Sequence, residues 1–421
     1  MKLKIGEPEL IYCAPLNEAT SKWGVYAIPR MWRNYTGELV VRINGEQDNG
    51  FTTQCLPNLY FVSRDNGKSW QEEKDGEKIY DINFINGVDS PFVRLKNGKI
   101  VGVRKKHGLK PITEITLEKE FALPCGSAIA HTYKYGAIPK SCAGAELFEY
   151  QNGQAIFKDI KYDFPEREVM VFAKGFTGSH YEDMPEYIDA SIFSYPYFSG
   201  ITQLDDKTLV AVTHGQTPSV YDRQCEDCYL IASEDGGITW KYRSTVASDP
   251  TLPFGCCGDG SEISLAKTSN GNLLCAMRTD MSIDGFPADT LLCISHDCGY
   301  TWSKPLRIAD SSVTPHVIAL DGGIAVLVYG RPGVHFRVSE DNGMTWSDSY
   351  PIIGKTLQEE LESGKSYMDA KYGDTSSYSN TFVEKISENT VLILYNDMKY
   401  DCGDGKKHKA TLVRTVTVTA D

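Results

Sequence analysis

Ser295-His-Asp-Cys-Gly-Tyr-Thr-Trp302 is one of four copies of the same short phrase. The others are Ser63-Arg-Asp-Asn-Gly-Lys-Ser-Trp70, Ser233-Glu-Asp-Gly-Gly-Ile-Thr-Trp240 and Ser339-Glu-Asp-Asn-Gly-Met-Thr-Trp346. Each residue has a local reason to be there. The aspartate (Asp65, Asp235, Asp297, Asp341) can accept backbone N–H bonds across a tight turn. The glycine supplies a left-handed backbone conformation. The tryptophan folds back beside the turn and buries its ring. A turn of this kind is structural, so its repetition bears on fold and not on chemistry.

Outward from these turns a second unit recurs: apolar strand, polar turn, apolar strand. It reads Pro91-Phe-Val-Arg-Leu-Lys-Asn-Gly-Lys-Ile-Val-Gly-Val and Ile263-Ser-Leu-Ala-Lys-Thr-Ser-Asn-Gly-Asn-Leu-Leu-Cys. Similar hairpins are expected at 200–213, 316–329 and 380–395, with a less regular one at 26–43. Six hairpins, four followed by the aspartate turn, predict a radial array of four-stranded blades. The chain is therefore read as all-β, a six-bladed β-propeller forming one domain over 1–421. The blades are expected near 23–75, 85–170, 195–245, 258–308, 313–352 and 375–421. Insertions are expected in blade two, about 105–190, where the Tyr- and Gly-rich stretch from His131 to Gly144 would overhang a site. The strand around Glu9–Cys13 is expected to join the last blade and close the ring.

Formal charge is 43 basic against 56 acidic residues, a net −13. Such a surface repels phosphate backbones and anionic lipid, which argues against nucleic-acid and membrane partners. A small anionic substrate needs only a local arginine cluster. No apolar stretch approaches a membrane span, and the N-terminal MKLKIGEPELIYCAP lacks the apolar core of a signal peptide. The twelve cysteines are scattered, and the expectation is reduced thiols in a cytoplasmic protein. Cys225-Glu-Asp-Cys228, with Cys256-Cys257 near it, has metal-knuckle spacing. No second paired motif with zinc spacing follows, so buried thiols are expected there and no metal.

Topology then locates the chemistry. In an up-and-down blade, the start of the first strand and the end of the second share one rim. The aspartate turns lie on the opposite rim. Asp89 and Glu262 precede first strands, each nine residues before its hairpin glycine, Gly98 or Gly271. Arg42, Arg104, Arg278 and Arg331 end second strands. Asp48 follows Arg42, and Tyr378 precedes the last blade's first strand. Arginines, acids and a tyrosine thus converge on one rim around the channel, the composition of a site.

These residues carry a resemblance to sialidases over nearly the whole chain apart from the insertions of blade two. The aspartate turn is similar to the Asp-box of that superfamily. Glu262 to Arg278 resembles the stretch bearing the tyrosine-activating glutamate and the second arginine of the carboxylate-binding triad. Val328-Tyr-Gly-Arg331-Pro-Gly resembles the site of the third. Ser377-Tyr378-Ser379 resembles the motif of the nucleophilic tyrosine, and Arg42-Ile-Asn-Gly-Glu-Gln-Asp48 the stretch with the acid/base aspartate. Asp89 matches a substrate-contacting aspartate. The chain departs from the pattern at Tyr26-Ala27-Ile28-Pro29, where Ala27 stands in place of the first triad arginine. Arg30, by strand alternation, is expected to point to the other face. Arg104 or Arg42 is then expected to fill the gap.

The resemblance implies a retaining exo-glycosidase on sialic acid or a related acidic sugar. Tyr378 would attack the anomeric carbon, Glu262 would take its proton, and Asp48 would serve the leaving oxygen and then water. Arg278 and Arg331 would hold the carboxylate by forked bonds, Asp89 would hold a ring substituent, and no cofactor is implied. Glu46 is a nearby alternative acid. Two other readings stand beside this one: a glycosidase or lyase on another uronic-acid-containing glycan, and a carbohydrate-binding propeller without turnover. The partner expected is a small-molecule or oligosaccharide substrate; oligomeric state is not legible.

Overall fold

The computed structural model describes residues 1–21, 24–34, 36–45, 56–74, 92–105, 109–111, 119–122, 129–134, 145–151, 154–163, 168–173, 187–189, 200–218, 224–247, 263–278, 289–310, 313–366, 369–370 and 381–419, some by backbone path alone. The chain is a six-bladed β-propeller of antiparallel sheets. Blade one is Pro29–Arg33, Leu39–Ile43, Leu59–Ser63 and Gln71–Glu72; blade two is Phe92–Arg94, Ile100–Lys105, Ala145–Gln151 and Gln154–Asp159. Blade three is Gly200–Gln203, Leu209–Pro218, Gln224–Ser233 and Thr239–Ala247, with Lys161–Asp163 added in parallel outside. Blade four is Ile263–Lys267, Leu273–Arg278, Thr290–Ser295 and Leu306–Ala309; blade five is Val313–Ala319, Ala325–Gly330, Val334–Ser339 and Tyr350–Ile353.

Blade six has three strands from the C-terminal end of the chain, Phe382–Ser387, Thr390–Asp401 and Lys407–Thr419. Its fourth edge comes from the N-terminus in two pieces. Lys2–Ile5 pairs with Val416–Thr419, and Glu9–Cys13 with Ala410–Val413. The ring closes as the sequence predicts, and a Cys13–Cys402 disulfide joins residues 389 apart across the seam. That bond corrects the expectation of wholly reduced thiols. Cys228 and Cys275, by contrast, are buried free thiols 4.0 Å apart, and burial pushes the nearby Cys293 thiol up to about 12. Cys256 and Cys257 lie outside the described residues, as does the side chain of Cys225.

Central strands are apolar without alternation because a neighbouring blade covers each face. Ala325–Gly330 is buried at every position, and Leu273, Leu274, Cys275, Ala276 and Met277 are all 0% exposed. First strands of successive blades touch one another around the axis, from blade two through six and back to blade one. They are the innermost strands.

The aspartate turns form as their residues require. In the first, Ser63 Oγ donates to Asp65 and accepts from the Gly67 N–H at 2.7 Å. Asp65 accepts from the N–H groups of Lys68 and Ser69 and from Ser69 Oγ at 2.6 Å. Those bonds, that from the Ser69 hydroxyl foremost, hold the Asp65 carboxyl down to about 2. Asp235, Asp297 and Asp341 are also held below the ordinary range; partial burial opposes the shift, and their hydrogen bonds outweigh it. Trp240 is wholly buried, while Trp70, Trp302 and Trp346 pack at the edge of the core.

The turn glycine also spaces the blades. A Cβ on Gly67 would stand 2.6 Å from Leu392 of blade six, and one on Gly237 2.7 Å from Leu147 of blade two. On Gly299 and Gly343 it would overlap Leu230 of blade three and Leu274 of blade four. Each aspartate turn therefore seats on the preceding blade.

The segment 105–190 contains blade two's own outer strands as well as inserted ones. Lys119–Ala122, Ile129–Lys134 and Glu168–Ala173 form a three-stranded sheet, and Leu109–Pro111 pairs with Tyr187–Asp189. The first insertion leaves between blade two's second and third strands, the second after its fourth. By topology both leave from the rim opposite the aspartate turns.

Candidate active site

Hydrogen bonds settle which turns share a rim. Arg33 Nη1, ending the first strand of blade one, donates to Asn66 of the aspartate turn at 3.1 Å. The Asn342 N–H donates to Gly323 O at 2.8 Å, and His296 Nδ1 lies 3.0 Å from Asn272 Oδ1. Hairpin turns and aspartate turns therefore share one rim, and second-strand ends lie on the other.

That other rim carries the candidate residues. Arg42 is the penultimate residue of Leu39–Ile43, Arg278 is the last of Leu273–Arg278, and Arg331 follows Gly330 directly; all three are half-buried. Arg104 lies near the end of Ile100–Lys105, in register with Glu146. Tyr378, Glu262, Asp48 and Asp89 lie outside the described residues, and so does Glu46. Their flanks are placed. Glu262 precedes Ile263, the first residue of blade four's innermost strand. Gly45 accepts from the Leu56 N–H at 3.1 Å and donates to Asn58 at 2.9 Å, which joins the two ends of the segment holding Asp48. Three residues beyond Tyr378, the Thr381 N–H donates to Thr314 Oγ1 at 2.8 Å and Thr381 Oγ1 to Thr314 O at 2.9 Å. Those bonds pin the start of blade six to blade five.

Arg30 is where the structure overturns the strand-alternation argument. Ala27 belongs to the turn Gly24–Ala27, where its N–H donates to Gly24 O at 3.1 Å, and the strand begins only at Pro29. Alternation cannot be counted across that turn. Arg30 pairs directly opposite Arg42, and Arg42 opposite Tyr60. Directly opposed residues project from the same sheet face. Two arginines, one of them only 9% exposed, thus project from the same face of blade one at the candidate rim. The register was the missing information; the arginine itself was in plain sight. Lys409 adds a cation: its Nζ donates to Val25 O at 3.1 Å, against the turn that carries Ala27.

Backbone strain is found on both rims. Among described residues other than glycine, φ is positive at Asn66, Cys298 and Asn342 in the aspartate turns, and at Tyr26 (51°), Thr314 (42°) and Arg331 (60°). The second three sit at the first-strand start of blades one and five and the second-strand end of blade five. A β-branched residue in that region costs of order 1–3 kcal/mol and persists where surrounding structure imposes it. On the innermost strand of blade six, burial pushes the Glu384 carboxyl up to about 7, against the opposing pull of Arg33.

Residues 200–399 match the family of BNR repeat-like domains. The match runs from the first strand of blade three into the second of blade six. No curated protein matches the chain. A protein of unknown function from Dyadobacter fermentans superposes with a TM-score of 0.58 at 17% identity, covering 99% of both chains, and shows the same fold. Other similar structures include the NanB sialidase from Streptococcus pneumoniae (TM-score 0.47, 15% identity, 97% of this chain and 70% of that one). An alpha-L-arabinanase from Penicillium chrysogenum complexed with arabinobiose gives 0.46 at 10%, covering 97% and 98%. No helix among the described residues is long and apolar enough to cross a membrane.

Proposed function

We propose that the chain is a retaining exo-glycoside hydrolase acting on a sugar that bears a carboxylate. The observation that carries this reading is the opposition of Arg30 and Arg42 on the rim that also holds Arg278 and Arg331. Guanidinium forks match a carboxylate's two oxygens, and each charge-assisted pair is strong where solvent is partly excluded. A chain of net −13 concentrates cations at one place against its overall charge. The strained residues on that rim point the same way.

The chemistry follows from the substrate's charge. A carboxylate at the reacting centre repels a carboxylate nucleophile, whereas a neutral phenol approaches freely. In the proposal Tyr378 is that nucleophile. A phenol ionises near pH 10, so Glu262 takes its proton as attack proceeds. Asp48 protonates the leaving oxygen, then draws a proton from the water that releases the sugar, and two inversions give net retention. Arg278, Arg331 and the Arg30–Arg42 pair hold the carboxylate; Asp89 and Arg104 bind ring substituents.

Ala27 favours a second substrate class, a uronic acid, whose carboxylate stands away from the anomeric carbon; for it the charge argument for a phenol lapses, and the arginine set alone supports the reading. The test is release of an aryl group from an aryl sialoside, glucuronide and galacturonide, with Tyr378→Phe as control. Turnover of any one that is lost in the mutant supports the reading and names the sugar. Binding of the acidic sugars without turnover would make the propeller a lectin.

A further inference from the structure

We propose that Cys13, Cys402, His408 and Asp404 form a structural zinc site that closes the propeller ring when the chain is reduced. Among the described residues, the two sulfurs and a ring nitrogen of His408 converge within 4.8 Å of one another. The cluster lies at the seam, where the N-terminal edge Glu9–Cys13 meets the third strand of blade six.

The imidazole is already arranged as a metal-bound histidine is. Its Nδ1 faces the Ala14 carbonyl at 2.9 Å, the backbone contact that fixes ring orientation in metal sites. Its Nε2 faces Asp404 Oδ1 at 2.9 Å. Both partners are acceptors, and a neutral imidazole carries one N–H. With Nδ1 turned to the Ala14 carbonyl, Nε2 is the nitrogen left to act as a ligand, and Asp404 Oδ1 lies beside it. Zinc takes nitrogen and carboxylate oxygen at about 2.0–2.2 Å, so it fits between them with a small separation.

The cysteines supply the remaining two ligands. Two Zn–S bonds of about 2.3 Å at a tetrahedral angle put the sulfurs roughly 3.7 Å apart. The Cα atoms are 6.6 Å apart, the wide end of the disulfide range, so side-chain rotation suffices. A dithiol reductant gives two electrons and two protons to the disulfide and becomes a disulfide itself. The two thiols then lose their protons to solvent as the ion binds. Two sulfurs, one nitrogen and one oxygen fill a tetrahedral shell with no open position, so the ion is structural and remote from turnover. It would replace the disulfide as the tie between the chain's two ends.

The experiment uses the full chain, reduced with a phosphine and freed of reductant anaerobically, and titrated with Co²⁺ and then Zn²⁺. The expected result is a thiolate-to-cobalt charge-transfer band with the intense visible bands of a tetrahedral ion, saturating at one equivalent and displaced by Zn²⁺. Cys298→Ser and Cys225→Ser should retain these bands; Cys402→Ser and His408→Gln should lose them. His408→Gln keeps its disulfide when oxidised, so its fold is verified before reduction. Zn²⁺ should restore the melting temperature of the reduced wild type and not that of reduced His408→Gln. Absence of a tetrahedral cobalt spectrum, or its persistence in Cys402→Ser, would overturn the proposal.

Discussion

Gly236 and Gly237 are adjacent in one aspartate turn and differ in what a methyl group would meet. Both are left-handed, with φ of 76° and 97°. A Cβ on Gly236 meets nothing within 4 Å, while one on Gly237 meets Leu147 Cδ1 at 2.7 Å and Val101 Cγ1 at 3.4 Å. Both neighbours are 0% exposed, on blade two. Gly236→Ala therefore carries only the left-handed penalty, about 1–2 kcal/mol. Gly237→Ala carries that and an overpacking term of about 1–3 kcal/mol. With an unfolding entropy of about 2.1 cal/mol/K per residue, a chain of this size loses roughly 1 °C per kcal/mol. Thermal unfolding followed by tryptophan fluorescence should thus show Gly237→Ala about 1–3 °C below Gly236→Ala. Leu147→Ala should cost about 2–5 kcal/mol in the wild type and visibly less in Gly237→Ala, where it relieves the clash. Equal losses for the two glycines, with additive effects of Leu147→Ala, would refute the seating of each turn on the preceding blade.

Three further outcomes follow from the same structure. The four turn aspartates titrate lower in the folded chain than the ordinary carboxylate range, so their contribution is whole above that range and is lost as pH falls through their folded values, Asp65 last near 2; Asp297→Asn should lower stability at pH 7 and flatten the acid limb of the melting profile. Glu384 titrates higher when folded, about 7, so its contribution is whole in acid and drains as pH rises through 7; melting curves of Glu384→Gln should lose that slope. Arg30→Met should lower kcat/KM about 10–150-fold, the worth of roughly 1.5–3 kcal/mol for a hydrogen bond to a charged group, on the acidic substrate. A neutral glycoside of the same leaving group should serve as the internal control, and equal loss on both would remove Arg30 from carboxylate recognition.

The fold was legible because its signals are local and repeated. Asp65, Ser63 and Gly67 need only each other to make a turn, and four such turns with six hairpins leave few architectures. Even the closing strand at Glu9–Cys13 could be read, since a ring must end somewhere. The candidate rim was legible, because second-strand ends follow from hairpin positions: Arg42, Arg278 and Arg331 stand at or next to the ends of their strands, as counting predicts. Counting failed at Arg30, where the turn Gly24–Ala27 delays the strand to Pro29 and breaks the period. It also failed at Cys13 and Cys402, whose contact depends on two ends 389 residues apart and leaves no local trace. The seating of Gly237 on Leu147 is of the same kind, a contact between blades that neither segment announces alone.

The proposed chemistry turns on a tyrosine nucleophile at position 378. It is tested by a mechanism-based fluorinated glycosyl fluoride of the acidic sugar turned over in the aryl-glycoside assay, followed by proteolysis and peptide mass spectrometry. One glycosyl adduct is expected on the peptide containing Tyr378, formed at the rate activity is lost and absent from Tyr378→Phe. Inactivation with the label on a carboxylate such as Asp48 or Glu262, or undiminished turnover by Tyr378→Phe, would contradict it.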